Sequence, residues 1–339
     1  MSELWTLPGE SIPEREPRAV KQLIGAFFGM LALANVAALV GMTLQQTNFG
    51  YEVVQLKFSL ADTVSEPVDW VFIGDSTCNQ GISPRRFEEL TGETALNLCT
   101  IGNLTVVGDA WVLERLIDNV GQPRRGVLLS HAYDVWMRDA DGLGLIAAET
   151  DSSFEWRQSR ALRPATFEEL AQVAVGQYVP LVTRPESMHL LLYHLIRPAP
   201  VRHFDALGFM DAGAATPDRV VRDVAGHLAQ EDDDFQLSDI NRQALIAVDD
   251  IADVPVFIVP APMAGSLWAH DEIHRRVSDA NAGVNEVASS RPGMQVVREE
   301  PWLYRDDQMH NADHIDGPTA LLHTDAVVAA LRGAEAFAP

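Results

Sequence analysis

Lysine is almost missing from this 339-residue chain, where Lys21 and Lys57 are the only two. Basic charge as a whole is scarce: 25 Lys plus Arg stand against 48 Asp plus Glu, a formal net charge of −23. Such a balance repels a polyphosphate and argues against a nucleic-acid partner. Cysteine is equally sparse, at Cys78 and Cys99, and no CxxC pair or His/Cys cluster has zinc spacing. Neither a metal nor a cofactor is therefore indicated. Internal repeats and low-complexity tracts are lacking too, and a hydrophobic content of 47% excludes disordered and collagen-like chains. The length suffices for a well-buried core.

One long stretch lacks charge altogether. Residues 23–44, LIGAFFGMLALANVAALVGMTL, would span about 30 Å of hydrocarbon as a helix. The leader before it is long and mixed in charge, and Gln45-Gln46-Thr47-Asn48 after it offers no small-x-small cleavage site, so an uncleaved anchor is favoured over a signal peptide. Arg15, Arg18 and Lys21 precede the span and only Lys57 soon follows. The positive-inside rule then leaves residues 1–22 in the cytoplasm and the main domain outside, in a single-pass cell-membrane protein. That compartment permits a Cys78–Cys99 disulfide, with two free buried thiols as the alternative.

After the anchor, residues 45–65 read as a linker, and residues 66–335 as one α/β domain. Apolar runs at Val68 to Ile73, Thr94 to Leu98, Gly126 to Ser130, Val254 to Val259 and Met294 to Val297 read as strands. Between them, Val106, Val107, Ala110, Leu113 and Ile117 recur at helical spacing, as do Ile273, Val277, Ala280, Val284 and Val287. The alternation predicts a three-layer α/β/α fold with a mostly parallel sheet. Residues from about 139 to 238 break the rhythm and read as a helical insertion, with an apolar segment at Ser187 to Ile196 and an acidic loop at Glu231 to Asp234.

In such sheets ligands bind beyond the carboxyl ends of the strands. The residues there are Gly74-Asp75-Ser76, Gly102-Asn103, His131 to Asp134, Pro260 to Met263, and the loop ending at His314. A serine at a strand-to-helix turn is well placed as a nucleophile, and His314, ahead of the last helix, could return over the sheet as its base. Ser76 as a simple helix cap and His314 as a surface histidine are the plainer alternatives. Tyr133, Trp136, Trp268 and Trp302 fall in loops near this region, where they either stack on sugars or pack in the core.

The Ile73-Gly74-Asp75-Ser76 turn, a glycine after the second strand, a polar block after the third and Asn311-Ala312-Asp313-His314-Ile315-Asp316 before the last helix together resemble the SGNH (GDSL-type) hydrolase superfamily. The resemblance covers roughly residues 68–331. It implies Ser76 as nucleophile, His314 as general base, and Ser76 and Gly102 as backbone oxyanion donors. Two positions depart from the family pattern. Tyr133 occupies the place of the oxyanion-hole asparagine, and Asn311 that of the acid three residues before the histidine; Asp313, Asp316 and Asp307 are the carboxylates that could stand in. Asp75, His131, Asp134 and Asp313 are expected to line the site, with Asp75 supporting the turn.

The whole layout is similar to membrane-anchored SGNH-like proteins of cell-surface polysaccharide O-acetylation. That similarity implies acyl transfer or ester hydrolysis on a surface glycan through an acyl-Ser76, beside a membrane-bound O-acyltransferase partner. The alternative is a catalytically degraded module that keeps the fold to bind glycan or to scaffold that partner.

Overall fold

The computed structural model describes residues 17–45, 51–139, 204–230 and 235–337. Alternation along the strands explains its sheet. In β1 (Trp70–Gly74), Val71 and Ile73 face one helical layer while Trp70 and Phe72 face the other, and all are buried. The pattern recurs in β3 (Gly126–His131), with Val127 and Leu129 against Leu128, and in β4 (Val256–Pro260), with Ile258 against Phe257 and Val259. Strands apolar on both faces need helices on both faces, and helical crossovers then make the strands parallel. With β2 (Ala95–Asn97) and β6 (Met294–Val296) they form a five-stranded parallel sheet in the order β2-β1-β3-β4-β6.

One layer contains α2 (Tyr51–Thr63), α5 (Thr105–Val120), and the later helices over Asp239–Ile251 and Asp271–Ser290. The other contains α3 (Ser76–Gly81), α4 (Pro84–Thr91) and the closing helix Gly317–Gly333. Helix α6 (Pro217–Leu228) and a small parallel pair, β5 (Pro262–Ala264) and β7 (Trp302–Tyr304), sit over a third apolar cluster with the His314 loop. In chain order the helices after α6 are α7 (Asp239–Ile251), α8 (Gly265–Trp268), α9 (Asp271–Ser290) and α10 (Gly317–Gly333).

Helix α1 (Pro17–Gln45) contains the apolar window Val20–Ala37, of mean hydropathy 1.5 and with none of it buried. It is long and apolar enough to cross a membrane.

The expected linker 45–65 is corrected. Residues Tyr51–Thr63 form α2, whose Val54, Phe58 and Ala61 recur at i, i+4 and i+7 and enter the main core against α5. Lys57 is fully buried there, and its Nζ donates to the Asn97 carbonyl at 2.8 Å, to Asn97 Oδ1 at 2.9 Å and to the Gly208 carbonyl at 2.5 Å. Three acceptors satisfy all three ammonium protons, so α2 is locked onto the end of β2.

Cys78, on α3, is disulfide-bonded to Cys99, just beyond β2, resolving the two alternatives for these thiols. Within the expected insertion, α6 and the flanking residues 204–216 are described; the segment Ser187 to Ile196 and the acidic run Glu231 to Asp234 lie outside the described residues.

Candidate active site

The strand order β2-β1-β3-β4-β6 has its switch point between β1 and β3, where successive crossovers leave in opposite directions and open a crevice at the strand ends. Ser76 follows β1 at this crevice, and Ala132 follows β3. Gly74 is required by the approach of the two strands: its φ is 147°, and a Cβ there would meet the Ser130 carbonyl oxygen at 2.0 Å. Asp75 then caps α3, its Oδ1 accepting from the Thr77 N–H at 2.8 Å and the Thr77 hydroxyl at 2.5 Å. Its Oδ2 accepts from the Ala132 N–H at 2.8 Å, fastening the β1 turn to the end of β3.

His314 reaches Ser76 on a tight hairpin. Met309 and Ile315 pair in antiparallel fashion, and the His310 N–H donates to the His314 carbonyl at 2.7 Å. Buried Met309, Ala312 and Ile315 root this hairpin in the third apolar cluster, and the Ala264 N–H donates to the Ala312 carbonyl at 2.9 Å. The result places His314 Nε2 at 2.8 Å from Ser76 Oγ.

On the other side of the imidazole, Nδ1 lies 2.6 Å from Asp313 Oδ1 and 2.9 Å from Asn311 Oδ1. The expectation that Asn311 holds the acid position is therefore refined. Asn311 Oδ1 already accepts the backbone N–H of His314 at 2.7 Å and of Asp313 at 3.2 Å, so it shapes the loop, while the charge facing the imidazole belongs to Asp313. Asp316 instead caps α10 through the Thr319 N–H, and Asp307 pairs with Arg305 at the surface. Burial disfavours the His314 imidazolium, but the Asp313 carboxylate outweighs it by charge and hydrogen bond and raises the His314 pKa. Burial likewise works against ionised Asp313, and the His314 charge overcomes it and holds that carboxyl below its ordinary value.

Beneath the serine turn, His131 is buried between two carboxylates, its Nε2 2.5 Å from Asp109 Oδ2 and its Nδ1 3.7 Å from Asp75 Oδ2. Burial would lower its pKa, yet the two aspartates push it up to about 10. His131 is thus an internal cation that helps keep buried Asp75 ionised, well below the usual carboxylate range despite its desolvation. It lies below the cleft rather than on it.

The cleft itself is about 450 Å³ and is lined by Ser76, Gly102, Asp134, Arg138, His227, Asp313 and His314, among others. Gly102 opens a 3-10 turn (Gly102–Leu104) that ends at Thr105, a β-branched residue held at φ 53°. Tyr133 departs from expectation. Its ring packs near Phe235, its hydroxyl lies 3.1 Å from His227 Nδ1, and it does not line the cleft. The reason is register: in the turn after β3, Ala132 and Asp134 face the Ser76 side and Tyr133 falls into the third apolar cluster. Trp136 is buried against His131, while half-buried Trp268 and Trp302 pack against His274 and His323, and none of the three lines the cleft.

Asp109, Arg138 and His227 were not singled out by the sequence. Asp109 did carry a signal, as a carboxylate on the otherwise apolar stripe of α5, and Arg138 stands at i+4 from Asp134. Nothing local marks His227, which comes to the cleft from α6. Among the described residues, no group of three or more His, Cys, Asp or Glu is arranged to hold a metal ion. No protein-family model matches the chain, and neither a curated protein nor a solved structure is similar enough to match it.

Proposed function

We propose that the chain is a membrane-anchored, SGNH-like serine O-acyltransferase or esterase acting on a cell-surface polysaccharide. The observation that carries this reading is the relay Asp313–His314–Ser76, with contacts of 2.6 and 2.8 Å at the mouth of a 450 Å³ cleft. A serine hydroxyl is a weak nucleophile until a base takes its proton, and the neutral imidazole is held in place for that by Asp313. Ser76 Oγ bonds to the acyl carbon as its proton passes to His314 Nε2. Collapse of the tetrahedral adduct then breaks the ester bond, and the imidazolium returns the proton to the departing oxygen. The acyl-Ser76 is resolved by the reverse sequence, with a glycan hydroxyl or water as acceptor.

The parallel sheet and the glycine-aspartate-serine turn support an SGNH-type domain. The apolar α1 supports the anchor, with the N-terminus cytoplasmic and the domain at the outer face of the cell membrane. A membrane-bound O-acyltransferase as donor partner belongs to the same proposal. The degraded-scaffold alternative is favoured by one observation, that Tyr133 is turned out of the cleft.

Incubating the detergent-solubilised full chain with a fluorophosphonate or an acetyl ester separates the two. Covalent labelling at Ser76, abolished by Ser76→Ala and by His314→Ala, is the expected result. A wild-type protein that stays unlabelled would leave the scaffold as the reading.

A further inference from the structure

Acyl transfer at Ser76 places a negative charge on the carbonyl oxygen of the adduct, in a cleft whose lining includes the carboxyl-bearing side chains of Asp75, Asp134 and Asp313. Carboxylates around the cleft oppose an oxyanion there, and a positively charged donor facing the same point offsets that opposition. Tyr133, which stands where a side-chain donor was expected, points elsewhere, and His227 is engaged with the Tyr133 hydroxyl.

Arg138 meets the requirement. Its Nη2 is bonded to Asp134 Oδ2, which anchors one arm of the guanidinium. Its Nη1 lies on the other arm, 3.0 Å from the position a Cβ would take at Gly102. A guanidinium carries five N–H donors in a rigid fork, so an arm fixed by a carboxylate leaves the other arm for a second anion.

The backbone under this side chain is also fixed. The buried Asn241 donates through Nδ2 to the carbonyls of Val135 at 3.2 Å, Trp136 at 3.0 Å and Arg138 at 2.8 Å, while its Oδ1 accepts the Val106 N–H at 3.3 Å. A single residue therefore ties the loop that carries Arg138 to the start of α5, which follows directly on the Gly102 turn. Fixed geometry of this kind is what lets a donor stabilise charge without reorganising during the reaction.

We propose that Arg138 is a catalytic residue, the side-chain donor that, with the Gly102 side of the cleft, receives the oxyanion of the Ser76 adduct. The proposal rests on the serine acyl-transfer reading. In its step, the Ser76 Oγ–carbon bond forms, the hydroxyl proton moves to His314 Nε2, and the carbonyl electron pair becomes an oxyanion facing Arg138. When the adduct collapses, that pair re-forms the carbonyl, the ester bond to the leaving oxygen breaks, and His314 gives the proton to that oxygen.

The test is steady-state hydrolysis of p-nitrophenyl acetate by the full chain in detergent, with intact-mass detection of acetylated Ser76. Arg138→Gln is expected to lower kcat by about 10²- to 10³-fold with KM changed less than about threefold, and Arg138→Lys to recover part of that loss. Because Arg138→Gln strips Asp134 of its partner, the double variant Asp134→Asn with Arg138→Gln removes the ion pair as a unit. It is expected to keep the wild-type melting temperature within a few degrees and show the same loss in kcat. An Arg138→Gln or double-variant kcat within threefold of wild type, or a rise in KM alone, overturns the proposal. Wild-type protein that never acetylates Ser76 overturns the underlying acyl-transfer reading instead, a distinct result.

Discussion

Ser76, His314 and Asp313 are joined by contacts of 2.8 and 2.6 Å, and under the proposed acyl transfer the pH behaviour of this chain of groups is set by the last contact. Because Asp313 raises the pKa of His314 above its ordinary value of about 6.5, the imidazole stays protonated, and unable to act as base, to a higher pH than a free histidine. The rate of Ser76 acylation should rise with pH through a midpoint above 6.5. In Asp313→Asn the charge is gone, so the midpoint should move down while the plateau rate falls by about 10³- to 10⁴-fold. Asn311→Ala, which removes a loop bond but leaves the charge, should cost less than about tenfold and leave the midpoint in place. The pH–rate profile of the three proteins checks this, and the opposite ranking of the two variants would assign the acid role to Asn311. The identity of the acid was not legible in sequence. Spacing of one, two or three residues from His314 says nothing about reach until the hairpin at Met309 and Ile315 is closed, and then Asp313 and Asn311 both arrive at Nδ1 while Asp316 is drawn off to cap a helix.

At the scale of elements, the strands and long helices follow from periodicity, since burial on two faces demands apolar residues along β1 and over Gly126 to Leu129 of β3. Helix α2 was the exception. Its apolar residues do recur at helical spacing, but Lys57 among them gives the segment the look of a solvated tether until its three carbonyl and amide acceptors are seen. Lys57→Met should therefore cost about 3 kcal/mol of stability, read as a lower denaturant midpoint, because it strands buried acceptors on Asn97 and Gly208. A truly solvated lysine would give a change near zero. The disulfide between Cys78 and Cys99 ties the serine-bearing helix to the other flank of β1, and closing a loop of 21 residues is worth about 3 kcal/mol in the chain-entropy model.

For the molecule as a whole, the separation between an exposed apolar helix and an acidic, fully cored α/β unit predicts how it partitions. The full chain should sediment with membranes and need detergent for release. A chain beginning after Gln45 keeps α2 and should be soluble and folded, whereas one beginning after residue 65 uncovers the apolar surface of α5 that α2 packs against and should aggregate. Fractionation followed by thermal melting distinguishes the three. The sequence by itself determined the α/β alternation, the long uncharged span, the acidic surface and the pair Ser76 and His314, because each is written in local pattern: period, run length, charge count, and position after a strand or before a helix. Only the tertiary structure decided that α2 belongs to the core, that Asp313 carries the acid charge, that Tyr133 turns inward, and that Asp109, His131 and Arg138 gather around the serine turn. The Asp313 contact depends on the closure of the hairpin between Met309 and Ile315, and the others on residues tens to more than a hundred positions apart, whose approach is fixed by the switch in crossover direction between β1 and β3.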